Sequence, residues 1–280
     1  MSEDSKEFES NNCEPIVEAL EETWGSTLQA CQGLDEGQWS LATECPGWSV
    51  KDQISHLVGT ERFLLGESPP ESAGLDPAHV KNPLGAFNER WVEARRGVPG
   101  GRVLAEFKEV TRLRIAELRH FGVERFDEVG PSPIGEVPYR VFMEVRAFDS
   151  WVHEQDIRIA LGREGGRGGR GEEITLRRVR DSLGYVVGRK VGPPEGTKVS
   201  FDVSGPLPLS ATVVIRDGRG VVQEGKAADP TAAISLPADV FWRLGCGRIS
   251  PGDTVLDGDV AVVGDVSIAE RILAEMAFAP

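Results

Sequence analysis

The apolar period of this chain changes once, and the change falls on a run that suits neither period. Up to Gly162 the apolar residues recur at helical spacing; beyond the run REGGRGGRG, residues 163–171, they largely alternate. Side chains three or four apart share a helix face, and side chains two apart share a strand face. Glycine and arginine in low-complexity order supply no core, so the run reads as an interdomain linker. The chain is therefore expected to fold in two parts of different class, α+β overall.

Ahead of the linker the signals are helical. Ile16, Leu20, Trp24, Thr27 and Leu28 lie near one face of a helix from about Glu14 to Gln32, with Gly33 as its stop. Pro46-Gly47 is turn chemistry, and Ser49 with Asp52 three residues on forms a capping box for a helix running to about Leu65. A Pro-, Gly- and Ser-rich stretch, residues 66–83, reads as a long loop. Helices follow over 84–96 and 103–120, then a loop over 126–138, then a helix beginning near Tyr139 and ending at Gly162. No convincing strand occurs in this part, and an antiparallel helix bundle is the natural architecture.

After the linker, a helix over 174–191 precedes KVSFDVSG, LSATVVIRDGRG and VVQEGK, which alternate as strands do. Asp217-Gly218 marks a hairpin between two of them. ISLP and VAVVGD read as further strands, ADVFWRLGCGR as a short helix and SIAERILAEM as a closing helix. The second part is thus a small domain with a mostly antiparallel sheet.

The formal net charge of −14 on 280 residues argues against general affinity for nucleic acid or an anionic membrane, including through the three arginines of the linker. The opening MSEDSKEFESNN is polar and acid-rich, unlike a signal peptide, and reads as a disordered tail over residues 1–13. No apolar run approaches the roughly 20 residues that cross a bilayer. Cys13, Cys31, Cys45 and Cys246 show no paired spacing and read as reduced thiols of a cytoplasmic protein.

The chemistry concentrates on RAFDSWVHEQDIRIALG, residues 146–162. Asp149 and His153 are four apart, so a carboxylate and an imidazole sit one turn apart on a face that Phe142, Ile157 and Ala160 mark as apolar. Burial of both costs free energy unless they are paired or bound. Spacing alone fits a helical ion pair or two ligands of a metal ion. Of the four histidines, His79 in the Pro-rich loop and His120 at a helix end read as surface residues. His56 lies within a helix near its apolar face, and two helices of a bundle can bring it opposite Asp149 and His153. Such a His/Asp/His set leaves a coordination position open, the pattern of catalytic zinc; iron, nickel or manganese suit the same ligands.

Two segments, CPGWSVKDQISHLVGTE around His56 and FDSWVHEQDIRIALG around His153, resemble the mycothiol-dependent maleylpyruvate isomerase family of actinobacteria, within the wider DinB-like metal-binding bundles. FWRLGCGR and GDVAVVGDVSIAERILAEM look like that family's closing pattern. The resemblance implies a DinB-like four-helix bundle over 14–162 and a sterol-carrier-like domain over 172–280. It implies a divalent metal, zinc foremost, on His56, Asp149 and His153, with mycothiol as thiol cosubstrate. A small-molecule electrophile would be the substrate, the reaction an isomerisation or an S-transfer, and the protein a monomer or homodimer. It also implies an activity-supporting arginine in the C-terminal domain, for which Arg248 and Arg243 are the candidates. The family's acidic ligand is glutamate; Asp149 is one methylene shorter, which leaves the substrate open.

The neighbouring residues have plainer readings. Cys45 just before a helix N-terminus is structural, Asp52 a cap, and Asp156 an outer-shell group. Glu154 faces solvent, Arg158 pairs with Glu154 or another acid, and Trp48 and Trp151 fill the core. Two other classes of function fit the same residues: a metal-dependent hydrolase using water, and a non-enzymatic small-molecule-binding or regulatory protein.

Overall fold

The structure is a computed structural model and describes residues 15–71, 77–252 and 258–278. Cys13 and the acidic tail lie outside the described residues. The helical part holds α1 (Pro15–Ala30), α2 (Glu36–Trp39), α3 (Val50–Leu64), α4 (Pro83–Glu93), α5 (Gly100–His120) and α6 (Val123–Asp127). A hairpin of β1 (Val129–Ser132) and β2 (Gly135–Pro138) then leads into α7 (Tyr139–Leu161). The long helices close a ring: α1 packs on α7 and α5, and α3 on α5 and α7. Leu20, Trp24, Ile54, Leu57, Phe107, Val110, Met143 and Ile157 fill its centre. The hairpin departs from the expectation of no strand before residue 162. Its pattern carries no buried apolar face, so the periodicity that marks a strand is missing.

Three backbone details fix this part. Ser49 accepts from the amide of Asp52 while the Asp52 carboxylate accepts from the amide of Ser49, the expected capping box at the start of α3. α7 begins at Tyr139, the residue expected, and ends at Gly162, whose φ of 62° closes the helix in the left-handed region. The glycine-rich run is not a loose tether. The carbonyl of Gly166 accepts from Trp151 Nε1 at 2.7 Å, that of Gly165 from Gln155, and that of Glu164 from Arg158. A Cβ at Gly166, where φ is +67°, would lie 2.4 Å from the Glu154 carboxylate. The next helix begins at Arg170, four residues ahead of the expected start, so the last two residues of the expected linker are helical.

The C-terminal part comprises α8 (Arg170–Tyr185), a π-helical turn (Val186–Val191), β3 (Lys198–Ser204), β4 (Leu209–Arg216), β5 (Arg219–Glu224), β6 (Ala232–Pro237), α9 (Ala238–Gly245), β7 (Ala261–Gly264) and α10 (Val266–Ala274). The five strands order β5-β4-β3-β6-β7. β3 and β6 run parallel and the other neighbours antiparallel, so the sheet is mixed but mostly antiparallel. Asp217 and Gly218 both have positive φ, 51° and 68°, the conformation a two-residue hairpin of this hand requires. α8, α9 and α10 cover the sheet over Leu183, Val199, Phe201, Ile234, Phe241 and Ile272.

α7 belongs to both halves. Met143, Ala147 and Ile157 face the bundle centre, whereas Trp151 and Val152 join the core of the C-terminal domain. A helix between two cores is apolar on more than one stripe, which is why Val152 lies one stripe round from the Asp149–His153 face. No described helix is long and apolar enough to cross a membrane.

Candidate metal centre

His56, Asp149 and His153 come together. α3 carries His56 to the middle of the bundle, where α7 crosses it. His56 Nε2 lies 3.1 Å from Asp149 Oδ2 and 3.4 Å from Oδ1, and His153 Nε2 lies 3.5 Å from Oδ1. One ligand atom from each residue can be chosen so that all lie within 4.8 Å of one another. The two imidazole rings meet edge to face with centroids 4.7 Å apart. Both histidines are buried and Asp149 is 26% exposed, so the set opens to one side only.

These residues fit a divalent cation. Donors of a tetrahedral centre with bonds of about 2.0–2.1 Å stand roughly 3.3 Å apart. The separations of Asp149 Oδ1 from the two Nε2 atoms, 3.4 and 3.5 Å, lie close to that spacing. Two imidazole nitrogens and one carboxylate oxygen also match the donor chemistry of zinc and its neighbours.

Each titratable group is held by its surroundings. Burial would raise the Asp149 carboxyl, but Arg146, His56 and His153 outweigh it and hold the group well below the usual carboxylate range. Burial lowers His56 and the Asp149 charge does not fully compensate, which favours the neutral, ligating ring. Burial also opposes protonation of His153, but there Asp149 and Asp156 prevail and raise it. His153 Nδ1 stands 3.4 Å from Asp156 Oδ2, and Asp156 is clamped by Arg248 through two nitrogens at 3.0 Å each. Asp156 therefore stands behind the His153 ring, where an acid can orient an imidazole.

The open side of the triad faces a cavity of about 370 Å³ between the bundle and the C-terminal domain. Trp48, Phe148 and Val152 give it apolar walls; Arg248 and the adjoining Cys246 and Gly247 come from the C-terminal domain. Arg248 thus lies at the cavity, bound to Asp156. Arg243 does not line it: it pairs with Glu44 and Asp239. Cys45 lines the cavity, and burial pushes its thiol up to about 11, in keeping with a structural rather than nucleophilic cysteine. Cys31, Cys45 and Cys246 are all free thiols.

Several neighbours depart from the expectations. Glu154 does not face solvent. It is fully buried, pairs with Arg158 at 2.7 Å and accepts from Ser26 at 2.6 Å, because α1 covers that side of α7. His79 is no plain surface residue. Its Nε2 meets Glu89 at 2.9 Å, it lines the cavity, and its ring lies against Gly47, where a Cβ would come within 2.3 Å. Trp48 lies tilted beside both histidine rings, with centroids at 5.1 and 5.7 Å, and donates to Glu89. Trp151 is core, packed edge to face on Trp242. Asp52 serves α3 as a cap and Arg96 as an ion-pair partner. His120 is exposed and bonds its own helix, as expected.

Sequence reasoning missed the buried ion network below the triad. Arg146 Nη1 donates to Asp149 Oδ2 at 2.6 Å, and Arg146 Nε donates to Glu61 at 2.9 Å. Glu61 in turn accepts from Arg114 at 3.0 Å. All three are buried. Arg146, three residues ahead of Asp149, was the available signal, and it is indistinguishable from a solvated stripe without the partner helices.

A helical bundle with a His/Asp/His set at its open face, capped by a mixed five-stranded domain, defines a class of two-domain candidate metalloproteins. Residues 20–158 match the family described as mycothiol maleylpyruvate isomerase N-terminal domain, and residues 189–274 match the SCP-2 sterol transfer family. The chain thus joins a mycothiol maleylpyruvate isomerase N-terminal domain to an SCP-2 domain at its C-terminal side. Crystal structures of the mycothiol-dependent maleylpyruvate isomerase and of a mutant of it share the fold, with TM-scores of 0.56 and 0.57 at 12% identity, covering 90% of this chain and 93% of theirs. Uncharacterized proteins from two Mycobacterium tuberculosis strains, CDC 1551 / Oshkosh and H37Rv, are 29% identical over 133 residues, 46% of this chain. The match spans about half the length of these curated relatives, 49%.

Proposed function

We propose that this protein is a divalent-metal-dependent enzyme that activates a low-molecular-weight thiol for addition to a small electrophile. The observation that carries this reading is the convergence of His56, Asp149 and His153, the last two of which line a cavity between two domains. A divalent cation held by the three side chains, zinc in the first instance, supplies the positive charge that lets a thiol lose its proton near neutral pH.

The chain's own groups do the rest. His56 and His153 present Nε2 toward Asp149, and Asp156 with Arg248 orients His153 from behind. Trp48, Phe148 and Val152 limit water at the cavity wall, where a thiol and an apolar carbon skeleton can meet. Cys45, held protonated by burial, does not compete as nucleophile. Arg248 is the residue we assign to steer an anionic group of the substrate or thiol, from the C-terminal side.

The thiol we assign is mycothiol, named for the related structures of the same fold. Its sulfur forms a C–S bond with an activated double bond. In isomerisation the former double bond rotates as a single bond, and the C–S bond then breaks. In S-transfer the adjacent carbon takes a proton and the thioether remains. Zinc-loaded protein is to be incubated with mycothiol and a panel of unsaturated electrophiles, including maleylpyruvate, with products followed by mass spectrometry. Thiol-dependent isomer or conjugate is expected. Equal turnover with and without thiol would replace this reading by that of a hydrolase.

A further inference from the structure

Behind the triad runs a chain of buried charges that a coordination role for Asp149 does not by itself require. Asp149 has two carboxylate oxygens in different surroundings. Oδ2 accepts from Arg146 Nη1 at 2.6 Å and stands 3.1 Å from His56 Nε2, while Oδ1 stands 3.4 and 3.5 Å from the two imidazole nitrogens and, among the described residues, has no guanidinium on it. Arg146 is itself fixed. Its Nε and Nη2 lie 2.9 and 2.8 Å from Glu61 Oε1, and the other oxygen of Glu61 accepts from Arg114 Nε. Arg114 also pairs with Glu117 and donates to the Tyr139 hydroxyl at 3.0 Å. Glu61 and Arg114 are each only 1% exposed, and Arg146 5%. Three helices, α3, α5 and α7, thus converge on one guanidinium aimed at one oxygen.

A carboxylate free on both oxygens can take a divalent cation through either or both. One whose second oxygen already carries a short charge-assisted bond has a single oxygen to give. We infer that Arg146 is a positioning residue that withholds Asp149 Oδ2, so that Asp149 serves as a one-oxygen donor through Oδ1 and the centre keeps a coordination position for an incoming ligand. Glu61 and Arg114 act at one and two removes, holding the guanidinium against the carboxylate. The inference rests on the metal-centre reading and adds a specific claim about coordination number.

The test uses Co²⁺ in place of zinc, because its visible absorption reports geometry and is strongest for four-coordinate tetrahedral sites. The full chain and the variants Arg146→Met and Glu61→Gln are loaded with Co²⁺, and stoichiometry and spectrum are recorded. Arg146→Met leaves Glu61 paired with Arg114. It is expected to bind one Co²⁺ per chain with band intensity reduced about twofold or more, as Oδ2 joins the coordination shell. Glu61→Gln, which loosens Arg146 without removing it, is expected to fall between. An Arg146→Met protein with one Co²⁺ and the unaltered spectrum overturns the inference. Should that variant fail to fold, an unaltered spectrum in Glu61→Gln overturns it instead. A wild-type chain that takes up no Co²⁺ refutes the metal-centre reading itself, and the inference falls with it.

Discussion

Asp149 and Asp156 are single carboxylates on one helix with different tasks, set by what each touches. Asp149 meets two Nε2 atoms and opens to the cavity, whereas Asp156 is fully buried and bound by Arg248. Removing one partner of a buried ion pair strands the other charge, at a cost of about 3–5 kcal/mol. Arg248→Ala is therefore expected to lower unfolding free energy by that amount in a denaturant titration, as well as to impair turnover. A loss below 1 kcal/mol would show that Asp156 does not depend on the pair. Cys45 allows a chemical check at the same scale. With its thiol pushed up to about 11, it stays protonated at pH 8. Alkylation by iodoacetamide in the metal-free protein should be slow at pH 8 and accelerate toward pH 11, read by peptide mass spectrometry. Rapid labelling at pH 7 would contradict the burial that raises it.

Among the elements, α7 and the strap that follows it organise the site. Position Tyr139, the stop at Gly162 and the Ser49–Asp52 capping box were all legible, because caps and glycine stops are local chemistry. The facing of Asp149 and His153 was legible for the same reason, as four residues are one turn. What was not legible depends on partners distant in sequence. The burial of Glu154 needs α1, the place of His79 needs Gly47 and Glu89, and the clamp on Asp149 needs Glu61 from α3. The short hairpin ahead of α7 escaped because none of its residues is buried, so no period betrays it. The strap yields a prediction of its own. Gly166→Ala places a Cβ against the Glu154 carboxylate in a left-handed backbone, which costs about 1–3 kcal/mol. A clear drop in Tm by calorimetry is expected, and an unchanged Tm would mean that the strap is not held as described.

In the whole molecule, two cores share one helix, and the candidate centre sits where they meet. The period switch in the sequence announced two parts; that α7 serves both was not visible, since a helix buried on two sides shows only a weakened stripe. Burial raises Asp156, Glu89 and Glu106, but Arg248 and His153, then His79, Trp48 and Arg96, and then Arg95 and Arg62 outweigh it, so each folded carboxyl lies below its ordinary value of 3.8 or 4.5. A depressed folded value gives stability that is complete above the unfolded value and is lost as pH falls toward the folded one. Tm is thus expected to hold above about pH 5 and to decline steadily below pH 4.5. A flat profile down to pH 3 would contradict the pairing of these acids.

The central claim is that His56, Asp149 and His153 hold one divalent cation. Elemental analysis of the purified chain after loading with zinc and exhaustive dialysis, beside a His56→Ala variant shown to be folded by circular dichroism, tests it most directly. One zinc per wild-type chain and none retained by His56→Ala is the predicted result; equal zinc in both, or none in the wild type, would contradict it.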